Sequence, residues 1–189
     1  MKRTGKILTL SGTMPKRDFG QQLHRDPHTI LEYSNVLDIN KAWKVKDFRV
    51  WVKESEFGQT ADGYFTLDTQ LSTDNIPNDV NWNDAGENRA IGWGTLAYNC
   101  NAMAFKPQSS AGFPRSLDNS EYWMHPDHLV QNLLTISAHA FGDQSTFENK
   151  EYTLNYIVYL EEYDITPTES IVLISKERLK ICRLNSIIW

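Results

Sequence analysis

At 189 residues, with 40% apolar and 23% charged side chains, the chain has the balance of one globular domain, and wholesale disorder is excluded. A domain of this size buries roughly 70% of its unfolded surface and needs no metal or disulfide staple. The formal charge of −5 hides an asymmetry: residues 1–25 carry +5 (Lys2, Arg3, Lys6, Lys16, Arg17 and Arg25 against Asp18) and the rest carries −10. A basic end on an acidic body points to an arm with an anionic partner, nucleic acid or the acidic face of another subunit; a few solubilising charges on a frayed end would read the same way.

In chain order, KILTLSGTM (6–14) alternates and then meets Gly12 and Pro15. TILEYSNVLDI (29–39) is rich in β-branched residues. In AWKVKDFRVWVKE (42–54), Phe48, Val50 and Val52 fall on one face and Arg49, Trp51 and Lys53 on the other, the pattern of a half-buried strand. GYFTLDTQL (63–71), RAIGWGTLAYN (89–99) and NAMAFK (101–106) continue the series, GWGT reading as a strand relieved by glycine. The last two strands, HLVQNLLTISAHA (128–140) and EYTLNYIVYLEEYDI (151–165), are apolar on both faces at their middles and are joined by turn-type chemistry.

At ITPTESIVLISKERLK the character changes. Thr166 is a candidate N-cap, Pro167 suits the first helical position, and Glu169 three residues past the cap completes a capping box. Lys176, Arg178 and Lys180 then crowd the C-terminal turns, so a helix is expected to close the domain. The chain is expected to be mainly β: a single antiparallel β-sandwich, an eight-stranded jelly roll, with a short C-terminal α-helix. Its parts are an N-terminal arm or first strand (1–25), the sandwich (26–165), and the helix and tail (166–189). The segments 72–88 and 106–127 are expected to be long loops that carry binding or assembly contacts.

Residue types that carry chemistry are few. Cys100 and Cys182 lack a CxxC or CxxH companion, which excludes zinc ribbons and thioredoxin-like motifs and suggests free thiols in a reducing compartment. The apolar run near the N-terminus is too short for a signal peptide, and no window is long enough to span a membrane. In WMHPDHLVQNLL (123–134), His125, Asp127 and His128 are metal-binding types, with His139 in reach along the next strand. A Pro-Asp turn feeding a strand explains the same letters, and the spacing matches no HExxH or facial triad. The acidic pair Glu161-Glu162 could suggest a glycosidase dyad, but adjacent strand residues point to opposite faces and cannot converge on one bond. No nucleophile elbow or phosphate loop occurs, and no cofactor is expected. Of the tryptophans, Trp51 and Trp82 are the best exposed by pattern and could stack on sugar rings; core or interface packing is the commoner use.

One segment, TFENKEYTLNYIVYLEEYDI (146–165), resembles the last strand of circovirus-type single jelly-roll capsid proteins, through Phe147, Glu148, Asn149, Tyr152 and Tyr156, with Glu162 and Tyr163 near the end. The architecture also resembles small structural proteins of tailless phages. The resemblance implies a non-enzymatic virion protein whose jelly roll assembles with copies of itself into a shell. The dense arginine-rich arm of that family is thin here. On this reading Trp43, Trp51, Tyr156, Ile171 and Leu173 serve packing or subunit contacts, and Lys2, Arg3, Lys6, Lys16 and Arg17 face packaged nucleic acid. The alternatives are a receptor- or carbohydrate-binding sandwich using Trp82, Trp93 or Trp123, and a metal-dependent jelly-roll enzyme using His125 and His128.

Overall fold

The structure, a computed structural model, describes residues 1–16, 27–32, 40–55, 64–74, 84, 86–99, 115–116, 121–142 and 151–170. Among them are nine strands: β1 (Lys2–Thr13), β2 (His28–Glu32), β3 (Lys41–Ser55), β4 (Tyr64–Ser72), β5 (Ala90–Asn99), β6 (Arg115–Ser116), β7 (Glu121–Met124), β8 (Leu133–Gly142) and β9 (Tyr152–Asp164). They form two antiparallel sheets. One has the order β1-β9-β3; the other runs β2-β8-β4-β5, and β6 and β7 share the far edge of β5.

The wiring is nested. β1 pairs with β9, β2 with β8 and β4 with β5, while β7 lies against β3 across the open side. Such a pattern is one long hairpin rolled into two layers, the jelly-roll arrangement. Between the layers lies a core in which Phe48, Leu67, Leu71, Leu134, Ile136, Leu154 and Leu160 are fully buried, with Trp43 and Val130 at one end.

Strand β3 shows how sequence phase sets local geometry. Trp43 and Val45 face the core on odd numbers, whereas Phe48, Val50 and Val52 face it on even numbers. A strict period of two would turn one set outward, so the strand inserts an extra residue: the register steps from Val45↔Leu160 to Asp47↔Tyr159, leaving Lys46 as a bulge. β1 carries a matching irregularity, between Arg3↔Tyr163 and Ile7↔Glu161, around Gly5 at a φ of +83°. That left-handed conformation suits glycine because it has no Cβ to clash.

On the other sheet, Gly92 and Gly94 have a packing reason. A Cβ on Gly94 would sit 2.5 Å from the Tyr122 ring, and one on Gly92 would sit 2.8 Å from the Met124 sulfur. The missing side chains let β7 lay Tyr122 and Met124 over β5 and against the core.

Several expectations need correcting. The segment 106–127 is not simply a loop, since it supplies β6 and β7. The strand expected from residue 128 begins only at Leu133, because 125–132 make a turn and a single bridge to β3. The strand expected over 101–106 lies outside the described residues, as does most of the expected helix. Its start is described and is capped as the sequence predicts: Thr166 N–H donates to Glu169 Oε2 (2.7 Å), and Glu169 N–H donates to Thr166 Oγ1 (3.2 Å). Residues 167–170 form the first helical turn.

Candidate functional site

Three places with polar groups lie on or border the three-stranded sheet; apart from them, Arg89 and Glu87 form a buried ion pair (2.9 Å) ahead of β5. The first is the acidic pair. Glu161 and Glu162 are each only 3% exposed, on the central strand β9, between the bulges of β1 and β3. Being adjacent on a strand, they leave by opposite faces. Each takes one cation from either neighbour. Glu161 binds Arg3 from β1 and Lys46 from β3 (2.9 Å), and accepts a hydrogen bond from the Tyr163 hydroxyl (2.8 Å). Glu162 binds Lys6 from β1 (3.3 Å) and Lys41 from β3 (3.8 Å), and accepts one from Thr4 Oγ1 (3.1 Å).

Hydrogen bonding from Lys46, before all else, holds the Glu161 carboxyl below the usual carboxylate range, with Tyr163 and the Arg3 charge helping against burial. For Glu162, burial is the largest influence and pushes upward. The hydrogen bonds from Thr4 and Lys6 and the charges of Lys6 and Lys41 together outweigh it, so the net direction is down. Both groups are ionised clamps that fasten β1 and β3 to β9.

The second place is the histidine turn. The N–H of Val45 donates to His128 Nε2 (2.9 Å), so that nitrogen bears no proton. The ring proton therefore sits on Nδ1 and goes to the His125 carbonyl. Both ring nitrogens are thus committed to backbone. Burial, as the main cause, pushes the His128 pKa down and keeps the ring neutral. His125 is exposed, and its Nδ1 accepts from the Asp127 N–H (3.1 Å), while Lys44 Nζ donates to the Pro126 carbonyl (2.6 Å). These are the contacts of a stitched turn. Among the described residues no three His, Cys, Asp or Glu side chains converge to hold a metal ion. His139 is buried on β8, its ring edge-on to Phe141 at 4.1 Å.

The same turn continues along the outer edge of β3. Trp43 and Val130 exchange backbone hydrogen bonds (2.8 and 2.7 Å). Further on, the Tyr122 hydroxyl accepts from the Val50 N–H (3.1 Å) and donates to the Val50 carbonyl (2.9 Å), so a side chain substitutes for a neighbouring strand. Its ring stands edge-on to Phe48 at 4.9 Å, and Arg49 lies over it at 4.7 Å.

The third place is the outer edge of β1, the opposite border of this sheet. There Ile7 is 66% exposed, Leu8 and Leu10 are half-buried against the core, and Thr9, Ser11 and Thr13 are exposed.

The remaining residues singled out by sequence fall as follows. Trp43 is core, 4% exposed, with Lys6 Nζ 5.6 Å above its ring. Trp51 is 37% exposed on the outer face of β3. Tyr156 bridges the two sheets: a Cβ on Gly12 would lie 2.6 Å from its hydroxyl, and its ring is edge-on to His28. Of the N-terminal cations, Lys2 is exposed, while Arg3, Lys6 and Lys16 are ion-paired within the chain, Lys16 to Glu151 at 3.6 Å. They belong to a strand and its end rather than to a detached arm. Trp93 and Trp123 lie directly opposite each other on β5 and β7, strands rather than loops, and Trp123 is 65% exposed. Arg17, Trp82, Ile171 and Leu173 lie outside the described residues. Sequence reasoning passed over Tyr122 and Lys46. The phase break between Val45 and Phe48 was a usable signal for Lys46; nothing local marks Tyr122.

No family model matches the chain, and no curated protein matches it. Among the described residues no helix is long and apolar enough to cross a membrane.

Proposed function

We propose that this chain is a structural, non-catalytic capsid subunit that assembles with copies of itself into a virion shell. The observation that carries the reading is the jelly-roll strand order, β1-β9-β3 over β2-β8-β4-β5, with a long, exposed strand on its border. The resemblance of residues 146–165 to circovirus-type capsid proteins supports it. So does the use of the acidic and histidine groups as fastenings of the sheet, the employment expected in a rigid tile. The cargo of such a shell is nucleic acid, reached by Lys2 and by those of Arg3, Lys6 and Lys16 that exchange a carboxylate for phosphate. Retention on a nucleic-acid column that falls with added salt tests that part.

The experiment for the shell is particle size, by light scattering at low and high salt with negative-stain microscopy. Discrete closed particles are the expected result. A monomer or small oligomer under all conditions would refute the proposal.

One observation favours a second reading, a receptor- or carbohydrate-binding module: the exposed Trp123 beside Trp93, an aromatic surface of the kind that stacks on sugar rings. Quenching of tryptophan fluorescence by a glycan, lost in Trp123→Ala, would establish it.

A further inference from the structure

Sheet borders invite pairing, and natural proteins blunt them with lysines, bulges and prolines. β1 uses these devices on only part of its length. Its first half has Lys2, Arg3 and Lys6 and the Gly5 bulge. Its second half, Ile7–Thr13, has no charge, no proline and a regular register with β9. Among the described residues no strand pairs with its outer side. Pro15, which has no N–H to donate, closes the stretch at the far end.

The stretch is self-complementary. A two-fold axis through Leu10, with the strands antiparallel, sets Leu8 against Gly12, Thr9 against Ser11, and Ile7 against Thr13 of the second copy. Odd residues meet odd and even meet even, so outward-pointing backbone groups face outward-pointing groups, and each sheet face continues across the junction. The half-buried row Leu8, Leu10 and Gly12 meets its own image, and in the exposed row the Thr9 hydroxyl meets that of Ser11 while Ile7 meets Thr13. The Gly5 bulge of one copy faces Pro15 of the other, so both ends of the ladder stop at the same place. Lys6 faces Met14, and no cation opposes a cation.

We propose that Ile7–Thr13 is a homotypic interface, at which two copies join their three-stranded sheets into one sheet of the order β3-β9-β1-β1-β9-β3. This rests on the self-assembly reading above and names the contact through which it begins.

The test uses the full chain with Cys100 and Cys182 replaced by serine. Leu10→Cys should form a disulfide-linked dimer under mild oxidation, because the axis brings the two residues together. Thr9→Cys alone should not, whereas a mixture of Thr9→Cys and Ser11→Cys chains should cross-link. Independently, Thr9→Lys with Ser11→Lys, both at exposed positions, places like charges opposite one another and should weaken association roughly tenfold. Its circular dichroism should be unchanged. Particles that assemble without any Leu10 cross-link would overturn the interface and leave the shell. Cross-linked dimers that never grow into closed particles would support the interface and remove the shell. A chain that stays monomeric at every concentration would remove both.

Discussion

Along β3, the outer backbone edge is met in turn by Val130, His128 and Tyr122, whereas along Ile7–Thr13 of β1 no described strand takes that place. The two edges border the same sheet and flank the same central strand. One is closed by a backbone bridge, an imidazole and a phenol drawn from a single stretch of chain. Among the described residues, the devices that blunt the other edge are confined to its charged, bulged beginning. Unpaired N–H and C=O groups need partners or water. At β3 the partners come from within; along Ile7–Thr13 no described strand supplies them, and the interface proposed above gives them to a second copy. An edge can therefore be finished without a strand.

The harshest way to break this comparison is from beneath. Phe48→Ala empties a fully buried site under Tyr122 and should cost about 3–5 kcal/mol in urea unfolding. It should also speed amide exchange at Val50 more than at core residues of β9. Tyr122→Phe is a finer cut. It keeps the ring and removes the hydroxyl, leaving the Val50 N–H and carbonyl unmatched, for a loss of about 1–3 kcal/mol. If exchange at Val50 stayed as slow as in the parent chain, the phenol would not be what closes that edge.

Acid should loosen first the outer edge of β3 and then the fastening of the central strand. His128 is held neutral by burial, with a folded pKa below its ordinary 6.5, so on acidification the unfolded chain takes up this proton first. Its contribution to stability is complete above pH 6.5 and declines as the pH falls from there through the folded value. Glu161 and Glu162 have folded values below their ordinary 4.5. Their contribution is complete above pH 4.5 and is lost as the pH falls through those lower values. Unfolding free energy against pH should thus show an upper window belonging to the outer edge of β3 and a lower one belonging to the fastening of β1 and β3 to β9. His128→Gln offers Val45 an amide oxygen and His125 an amide N–H without a titrating group. It should erase the upper window alone; survival of that window in the variant would show that another group produces it.

The smallest effect belongs to the open side. Lys6→Met removes a mostly exposed cation from Glu162, which retains Lys41 and Thr4, and should change stability by only about 0–1 kcal/mol. A larger loss in thermal unfolding would mean that β1 hangs on this single ion pair.

The strands were legible wherever burial on one face enforces alternation, as over Phe48, Val50 and Val52, and the capping box at Thr166 was legible because all its partners lie within one turn. The Pro-Asp reading of the histidine segment was accessible for the same reason. What sequence did not show is non-local. β7 is four residues long in a stretch rich in serine and proline, too short for a period to register. Its meaning comes from Tyr122 reaching Val50, 72 positions away. The bulge at Lys46 was written in the phase change from Val45 to Phe48, but the carboxylate that receives Lys46 belongs to the other end of the domain. The charge count at the N-terminus likewise says nothing of partners, which are distant in sequence: Glu161 for Arg3, Glu162 for Lys6 and Glu151 for Lys16.

The position of β9 has a consequence for biosynthesis. Of the described strands β1 is made first and β9 last, yet β9 lies between β1 and β3 and is the only described strand that either pairs with along its length. Until β9 is made, the sides of both that face it must wait unpaired. The sheet zips together only once residues 152–164 have emerged, a late closure that favours slow folding and exposes the waiting segments to chaperones in the interval.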